Sequence, residues 1–286
     1  AEAEKMLMAN PCLVLVKASG VDCAGNKIKQ ATAYEAALGA GDDDMAAMIG
    51  TYFAKLDNGE DERSRQYAGY QPHIETMLTQ PAYDFSVLLK MIKDSSVDEV
   101  QAALDLQFNA DLPLHAALDE FRSYFAPREI KGGMHFNCRD LLRAFEVYAD
   151  KFEELRQSGG NGYDKCDLFW RQVIGYIQRL LPACDRQAFA QGIYYIVEEN
   201  EKKRRSFDFR VSGGSFPVRA DFDLVPAAGL GFEYAAGTLG CRAWEYDTPE
   251  LPNRTSQFGK LMSNKNVRLA QLMQPHQLEA NRCVIC

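Results

Sequence analysis

Three small groups of residues in this chain have types and spacings that could do chemistry. Cys283 and Cys286 are separated by two aliphatic residues in the sequence Cys-Val-Ile-Cys, which ends the printed chain. His135 and Cys138 lie three residues apart, beside a pair of glycines. Three acids, Asp42–Asp44, follow one another directly. These patterns suggest lipidation, nucleophilic catalysis and cation binding, respectively.

The sequence around Cys283 favours prenylation. A cysteine four residues from a carboxyl terminus, followed by two aliphatic residues, is the form that protein prenyltransferases read. The alternative is a metal- or redox-type Cys-x-x-Cys, which normally opens a helix that lowers the pKa of its thiol. We expect no such helix at residues 283–286. Because the last residue is neither Leu nor Phe, a farnesyl group is favoured, although Cys is not among the usual last residues.

Basic residues precede this cysteine. From Pro252 onward the chain has five Lys or Arg residues against Glu279 alone, a net charge of +4, which leaves −12 for residues 1–251. A single lipid chain gives marginal membrane residence, and nearby cations supply the second signal for anionic lipids. We therefore expect four of these cations to face an anionic membrane: Lys260, Lys265, Arg268 and Arg282.

His135 and Cys138 have the residue types of a Cys-His nucleophile pair. No second His and no orienting acid lie nearby in sequence, so the alternative is a buried cysteine at a helix start with a histidine filling the loop. We favour that structural role and keep the pair as a weaker candidate for catalysis.

The charged runs have ordinary explanations. Asp42–Asp44 lack the alternating acids of a calcium loop, and the helix dipole favours acids in a first turn, so we expect no metal there. Lys202–Arg205 fit the solvated end of a helix or, alternatively, an anionic-lipid patch. No Gly-rich phosphate loop, zinc-protease motif or nucleophile elbow is present. The sequence therefore predicts no cofactor and favours a binding protein over an enzyme.

Composition limits the class of protein. The chain has 286 residues, a net charge of −8 and 47% hydrophobic residues, as expected for a folded globular protein without a nucleic-acid-binding surface. Eight scattered cysteines do not form a disulfide framework. No apolar run approaches the length of a membrane span, and we expect no secretory signal.

The first 126 residues have the pattern of helical hairpins. In residues 32–53, Thr32 is a candidate N-cap, and Gly39 and Gly41 mark a turn between two short helices. Residues 84–105 and 110–125 show further helical periodicity, with Pro113 at a first helical position.

Residues 127–251 are expected to form the main helical core. Apolar residues at helical spacing predict helices over 137–157, 163–182 and 185–205, the last beginning at a capping Asp185. Alternation broken by Gly and Pro predicts an antiparallel β element over 206–246. Residues 252–286 would be a basic, lipid-anchoring tail, in which residues 255–280 have helical tendency and are expected to be the least well packed segment. The predicted fold is mainly α: helical hairpins, then a helical bundle with a small antiparallel β element.

The helical hairpins resemble ankyrin repeats. The shared features are a Thr-Pro-Leu-His type start, small residues, a Gly turn and an aliphatic second helix, echoed here by Thr32, Ala37, Gly41, Met45 and Ile49, and by Pro113, Leu114, His115 and Ala117. Equivalent positions are not evenly spaced, so the resemblance implies a degenerate or interrupted array over roughly residues 20–125. The alternative is a set of ordinary packed helical hairpins.

Four stretches of the chain resemble type IV secreted effectors of intracellular bacterial pathogens: TAYEAALGAGDDDMAAMI, MHFN, LFWRQVIGYIQRLLPA and RQAFAQGIYYIVE. The resemblance implies an effector that a host prenyltransferase modifies, that binds the cytosolic face of an anionic host membrane, and whose helical body recruits an unidentified host protein. It carries over no active-site residue. Two alternatives stay open: an enzyme that modifies a host protein or lipid, and a eukaryotic prenylated signalling adaptor.

Overall fold

The computed structural model describes residues 2–105, 107, 109, 111–158, 163–204 and 250–273. The α-helices, in chain order, are α1 (Glu2–Ala9), α2 (Ala33–Gly39), α3 (Asp43–Gly50), α4 (Gly59–Ala68), α5 (Gln71–Thr76), α6 (Ser86–Asp94), α7 (Val97–Leu104), α8 (Pro113–Tyr124), α9 (Cys138–Gln157), α10 (Asp164–Leu168), α11 (Gly175–Arg179), α12 (Ala183–Gln191), α13 (Ile193–Val197) and α14 (Glu250–Gln271). Pro11–Leu15 and Phe53–Lys55 are 3₁₀ helices, and a π-helical stretch, Phe169–Ile174, joins α10 to α11.

The predicted hairpin at residues 32–53 is confirmed by its local hydrogen bonds. The Thr32 hydroxyl accepts from the Glu35 backbone N–H at 3.1 Å, and the Glu35 carboxylate accepts from the Thr32 N–H at 2.9 Å, which is a complete capping box. Gly41 turns the chain with a φ of +64°, a conformation that favours glycine. The Asp42 carboxylate then caps α3 by accepting from the Met45 N–H at 3.1 Å.

The longer helices agree with the sequence pattern in two of three cases. α9 covers the first predicted helix, and α10, the π-helical stretch and α11 cover the second. The third prediction needs correction, because α12 begins at Ala183 and Gly192, with a φ of +93°, separates it from α13. Asp185 therefore lies inside α12, where it is buried, and does not cap it.

A small sheet joins two distant parts of the chain. β1 (Ala18–Val21) pairs antiparallel with β2 (Lys27–Ala31), and β2 pairs parallel with β3 (Glu129–Ile130), where Ile28 lies opposite Ile130. The mainly α fold with a small β element is confirmed. The observed sheet is mixed, and the β element predicted over residues 206–246 lies outside the described residues.

The buried side chains form two apolar clusters. The smaller one is built from α1 to α5 and includes Tyr34, Phe53 and Ile74. The larger one is built from α6 to α13 and includes Phe145 and Trp170. No helix among the described residues has the length and apolar character needed to cross a bilayer.

Helix α14 contributes to both clusters. Phe258, Leu261 and Met262 are buried in the larger cluster, and Leu269 is buried in the smaller one. The Tyr67 hydroxyl also donates to the Leu269 carbonyl at 3.1 Å. The interpretation of this segment as the least well packed part of the chain therefore needs correction, because its described residues close the core.

Truncating a buried side chain of α14 should destabilise the whole protein. Phe258→Ala removes a fully buried ring and should lower the free energy of unfolding by about 3–5 kcal/mol. Val267→Ala, at a position on the same helix that is 56% exposed, should change it by less than about 0.5 kcal/mol. Urea unfolding followed by circular dichroism measures both. Equal, small effects would show that α14 is not part of the core.

Candidate functional site

A polar cavity of about 180 Å³ lies between the sheet, α8 and the start of α9. Its walls combine aromatic and polar side chains: Asn26, Tyr124, Phe125, Arg128, His135, Phe136, Asn137 and Asp140. A cavity of about 150 Å³ can hold a benzene molecule, so this one is large enough for a group of several heavy atoms.

The sheet fixes the position of Arg128. The side chain of Asn26 accepts a hydrogen bond from the Arg128 N–H at 3.0 Å, and the Arg128 carbonyl accepts from the Lys27 N–H at 2.9 Å. Asn26 is itself held by Asp22, which accepts from its backbone N–H at 2.8 Å and from its side-chain amide at 3.0 Å. The turn between β1 and β2 thus places Arg128 at the cavity.

Asp140 is the buried carboxyl group of the cavity. It lies in the first turn of α9, and its residue exposure is 4%. Its Oδ1 accepts from the Tyr83 N–H at 2.7 Å and from the Asn137 amide at 3.4 Å. Burial raises the pKa of Asp140 to about 6, although the Tyr83 hydrogen bond and the nearby Arg128 charge act in the opposite direction. Arg128 and Asp140 line one cavity without forming an ion pair with each other.

His135 is a buried, neutral imidazole at the same cavity. Its backbone N–H donates to the Gly39 carbonyl at 2.7 Å, which ties the loop before α9 to the end of α2. Burial lowers the pKa of His135, and no described residue hydrogen-bonds to its Nε2. A Cβ at Gly39 would lie 2.4 Å from Nε2, so only glycine fits there.

The structure does not assemble His135 and Cys138 as a nucleophile pair. No hydrogen bond joins them, and the Cys138 Sγ instead lies 3.5 Å from the Met77 carbonyl, to which it donates. Burial raises the pKa of Cys138 to about 11, so the group is a thiol at neutral pH. The alternative of a buried cysteine at a helix start fits these observations.

The acids at the start of α3 are neutralised by basic side chains. Asp43 is buried; its Oδ1 accepts a hydrogen bond from Lys203 Nζ at 2.7 Å, and its Oδ2 forms an ion pair with Arg268 Nε at 2.9 Å. Asp44 lies 3.5 Å from Lys203 Nζ. The three aspartates lie close enough together to bind a metal ion, but Lys203 and Arg268 already neutralise Asp43 and Asp44. The Lys203 side chain is buried. The prediction that residues 202–205 form a solvated helix end is therefore wrong at Lys203, and so is the alternative that they form an anionic-lipid patch.

The predicted membrane role of Lys265 also needs correction. Its side chain is 2% exposed, and its Nζ lies 2.5 Å from Asp185 Oδ1 and 3.9 Å from Cys184 Sγ. Burial by itself would lower the pKa of Lys265, but the Asp185 carboxylate more than offsets this, and the net shift is upward. Lys265 is thus a charged group inside the protein.

The other tail cations differ from Lys265. Arg268 is 46% exposed but bound to Asp43, and Lys260 is 54% exposed and lies 2.8 Å from Glu198. Cys283 and Arg282 lie outside the described residues. In the described part of α14, the cations that were predicted to face a membrane therefore already contact acidic side chains of the protein.

Sequence reasoning did not single out Asp140, Arg128 or Asn26. The available signal was an Asn137 N-cap followed by an acid in the first helical turn, just after a Gly-rich loop. That signal predicts a capped helix start, and only the packing of α8 and the sheet around it buries the carboxyl group.

Searches against protein-family models, curated proteins and solved structures found no match to this chain.

Replacing Lys265 should cost far more stability than replacing Lys260. Lys265→Met leaves Asp185 buried without its cation, which should cost about 3–5 kcal/mol of unfolding free energy. Lys260→Met breaks an exposed pair and should cost about 0–1 kcal/mol. Chemical denaturation at neutral pH compares them. The double variant Lys265→Met, Asp185→Leu should recover part of the loss, and a mild Lys265→Met variant would contradict the buried pair.

Proposed function

We propose that the helical body of this chain is a binding module that holds a partner at the Asp140 cavity. The observation that carries the proposal is a buried carboxyl group with no donor to its Oδ2 among the described residues, placed in a cavity with aromatic walls. Binding sites of proteins typically combine such walls with a few polar groups. A partner can therefore supply the missing hydrogen bond.

The buried thiols argue against covalent chemistry at Cys138, Cys166 and Cys184, whereas Cys12 and Cys23 are exposed. Cys138, Cys166 and Cys184 are buried, and burial raises the pKa of all three, to about 11 for Cys138 and about 12 for Cys166. A thiolate is needed for nucleophilic attack, and a buried thiol with a raised pKa is inert. This supports a binding role for the cavity over nucleophilic catalysis by the nearby Cys138. If the chain is a secreted effector, the partner bound at this cavity would be a host protein.

Substitution of Asp140 should abolish partner capture without unfolding the protein. Asp140→Asn keeps the acceptor for the Tyr83 N–H but removes the negative charge. The amount of protein that the chain captures specifically from a eukaryotic lysate, measured by quantitative mass spectrometry, should therefore fall at least about tenfold. Asp150→Asn, at an exposed acid on the same helix, should capture as wild type does.

Cys138→Ala is the second comparison in this experiment, because it removes the thiol and leaves the cavity walls in place. It should also capture the wild-type set of proteins. Loss of capture in Cys138→Ala with an unchanged melting curve would contradict the binding-module proposal, and so would full capture by Asp140→Asn.

We propose, second, that Cys283 is prenylated in a eukaryotic cytosol and tethers this module to a membrane. The support is the sequence Cys-Val-Ile-Cys at residues 283–286. Because Lys265 is buried and Lys260 and Arg268 have acidic partners, the lipid would supply most of the attachment. One farnesyl chain gives weak, reversible binding by itself.

Intact mass analysis of protein from eukaryotic cells tests this second proposal. The wild-type chain should carry a farnesyl group on Cys283 and partition to membranes, whereas Cys283→Ser should be unmodified and released. Neutralisation of Lys260 in Lys260→Met should weaken membrane association by less than about fivefold, since it removes about 1 kcal/mol or less of attraction. An unmodified Cys283 in wild type, with equal membrane association of Cys283→Ser, would contradict the anchor.

A further inference from the structure

We propose that the Asp140 cavity binds an α-amino acid unit, either a free amino acid or the N-terminal residue of a peptide. Its ammonium group would lie at Asp140, and the adjacent carboxylate or carbonyl oxygen at Arg128. This inference rests on the proposed binding function and names the chemistry of the ligand.

The first argument is that the cavity holds opposite charges that do not neutralise each other. Asp140 is 4% exposed, and the hydrogen bonds it accepts from described residues are both on Oδ1, which leaves Oδ2 for a ligand. Arg128 makes no ion pair with any described residue, although its charge acts on both Asp140 and His135. A group that carries a cation and an anionic or carbonyl oxygen on neighbouring atoms complements both.

The second argument concerns the charge of His135. This residue is 7% exposed, its Nε2 packs against Gly39, and burial lowers its pKa, so the ring is neutral at pH 7. A neutral imidazole and a carboxylate are both compatible with an ammonium group, whereas a second cation at His135 would repel it.

The third argument concerns the walls and the size of the cavity. Tyr124, Phe125 and Phe136 supply aromatic surface beside the polar groups, which suits an apolar side chain and also attracts a cation to a ring face. The volume of about 180 Å³ admits a small amino acid unit and excludes a long peptide. A peptide would therefore enter with its first residue only.

Calorimetric titration of the full chain with matched probes tests the ligand class. L-leucine carries both charges, isoamylamine lacks the carboxylate, and 4-methylpentanoate lacks the ammonium. L-leucine should bind, and each truncated probe should bind at least about tenfold more weakly. Asp140→Asn and Arg128→Gln should each weaken the binding of L-leucine by about tenfold or more, whereas Asp150→Asn should leave its affinity unchanged.

The dependence on pH gives an independent readout. The groups around Asp140 that are charged or can titrate are Arg128, His135 and Tyr124, and the charge of Asp22 acts on His135. With an Asp140 pKa of about 6, the ionised fraction rises about tenfold between pH 5 and pH 7, so affinity for L-leucine should rise about tenfold over that range. Asp140→Asn should lose this dependence. Affinity that falls with rising pH would overturn the proposal in favour of an anion site.

Two peptides distinguish the sources of the ligand. Leu-Gly-Gly-Gly with a free N-terminus should bind if the natural ligand is a protein N-terminus, and only L-leucine should bind if it is a free amino acid. Equal binding of N-acetylated Leu-Gly-Gly-Gly would overturn the proposal, because the ammonium would not be needed.

Absence of binding by L-leucine and by the free peptide at millimolar concentration would also overturn the proposal of an amino acid ligand. Asp140-dependent capture of a partner would then leave the binding-module function standing.

Discussion

The buried ion pair between Lys265 and Asp185 is the interaction on which the rest of the structure depends. Both side chains are almost fully buried, and each alone would carry a large desolvation penalty. The pair is favourable only when α14 lies against α12 in one register. In that register, Arg268 reaches Asp43 at the start of α3, and the apolar side chains of α14 enter both clusters. The charges thus select the position in which the apolar surface is buried.

The cavity depends on the same arrangement. Gly41, in the turn between α2 and α3, lies beside the Lys265 ammonium, and Gly39 at the end of α2 holds the loop that carries His135. From that loop the chain enters α9, whose first turn presents Asp140. The sheet fixes Arg128 from the other side through Asn26. A ligand site of this kind is assembled from four separated segments, so its geometry follows from tertiary packing.

Much of the local structure could be predicted from the sequence. The Thr32 capping box, the Gly41 turn, the start of α8 at Pro113 and the extent of α9 follow from residue preferences that act over a few positions. The break at Gly192 was not predicted, because the apolar periodicity continues across it.

The roles of the charged residues could not be predicted in the same way. Lys265 has the sequence context of a solvated tail cation, because its partner Asp185 is 80 residues away. Asp140 has the context of an ordinary first-turn acid, and a helix start normally stabilises its charge. Burial by α8 and the sheet reverses that tendency, since removing water from a carboxylate outweighs the helix dipole. Such effects depend on contacts between distant segments, which local patterns do not encode.

The most direct test of this account is the ionisation of Asp140 in the free protein. A pH titration of its side-chain carboxyl carbon by ¹³C NMR, assigned by comparison with Asp140→Asn, reports that single group. The account predicts a midpoint near pH 6, because the carboxyl group is desolvated in the cavity and no described basic residue forms an ion pair with it. A midpoint at or below the ordinary aspartate value of about 4 would show a solvated or ion-paired carboxylate and would contradict the proposed binding site.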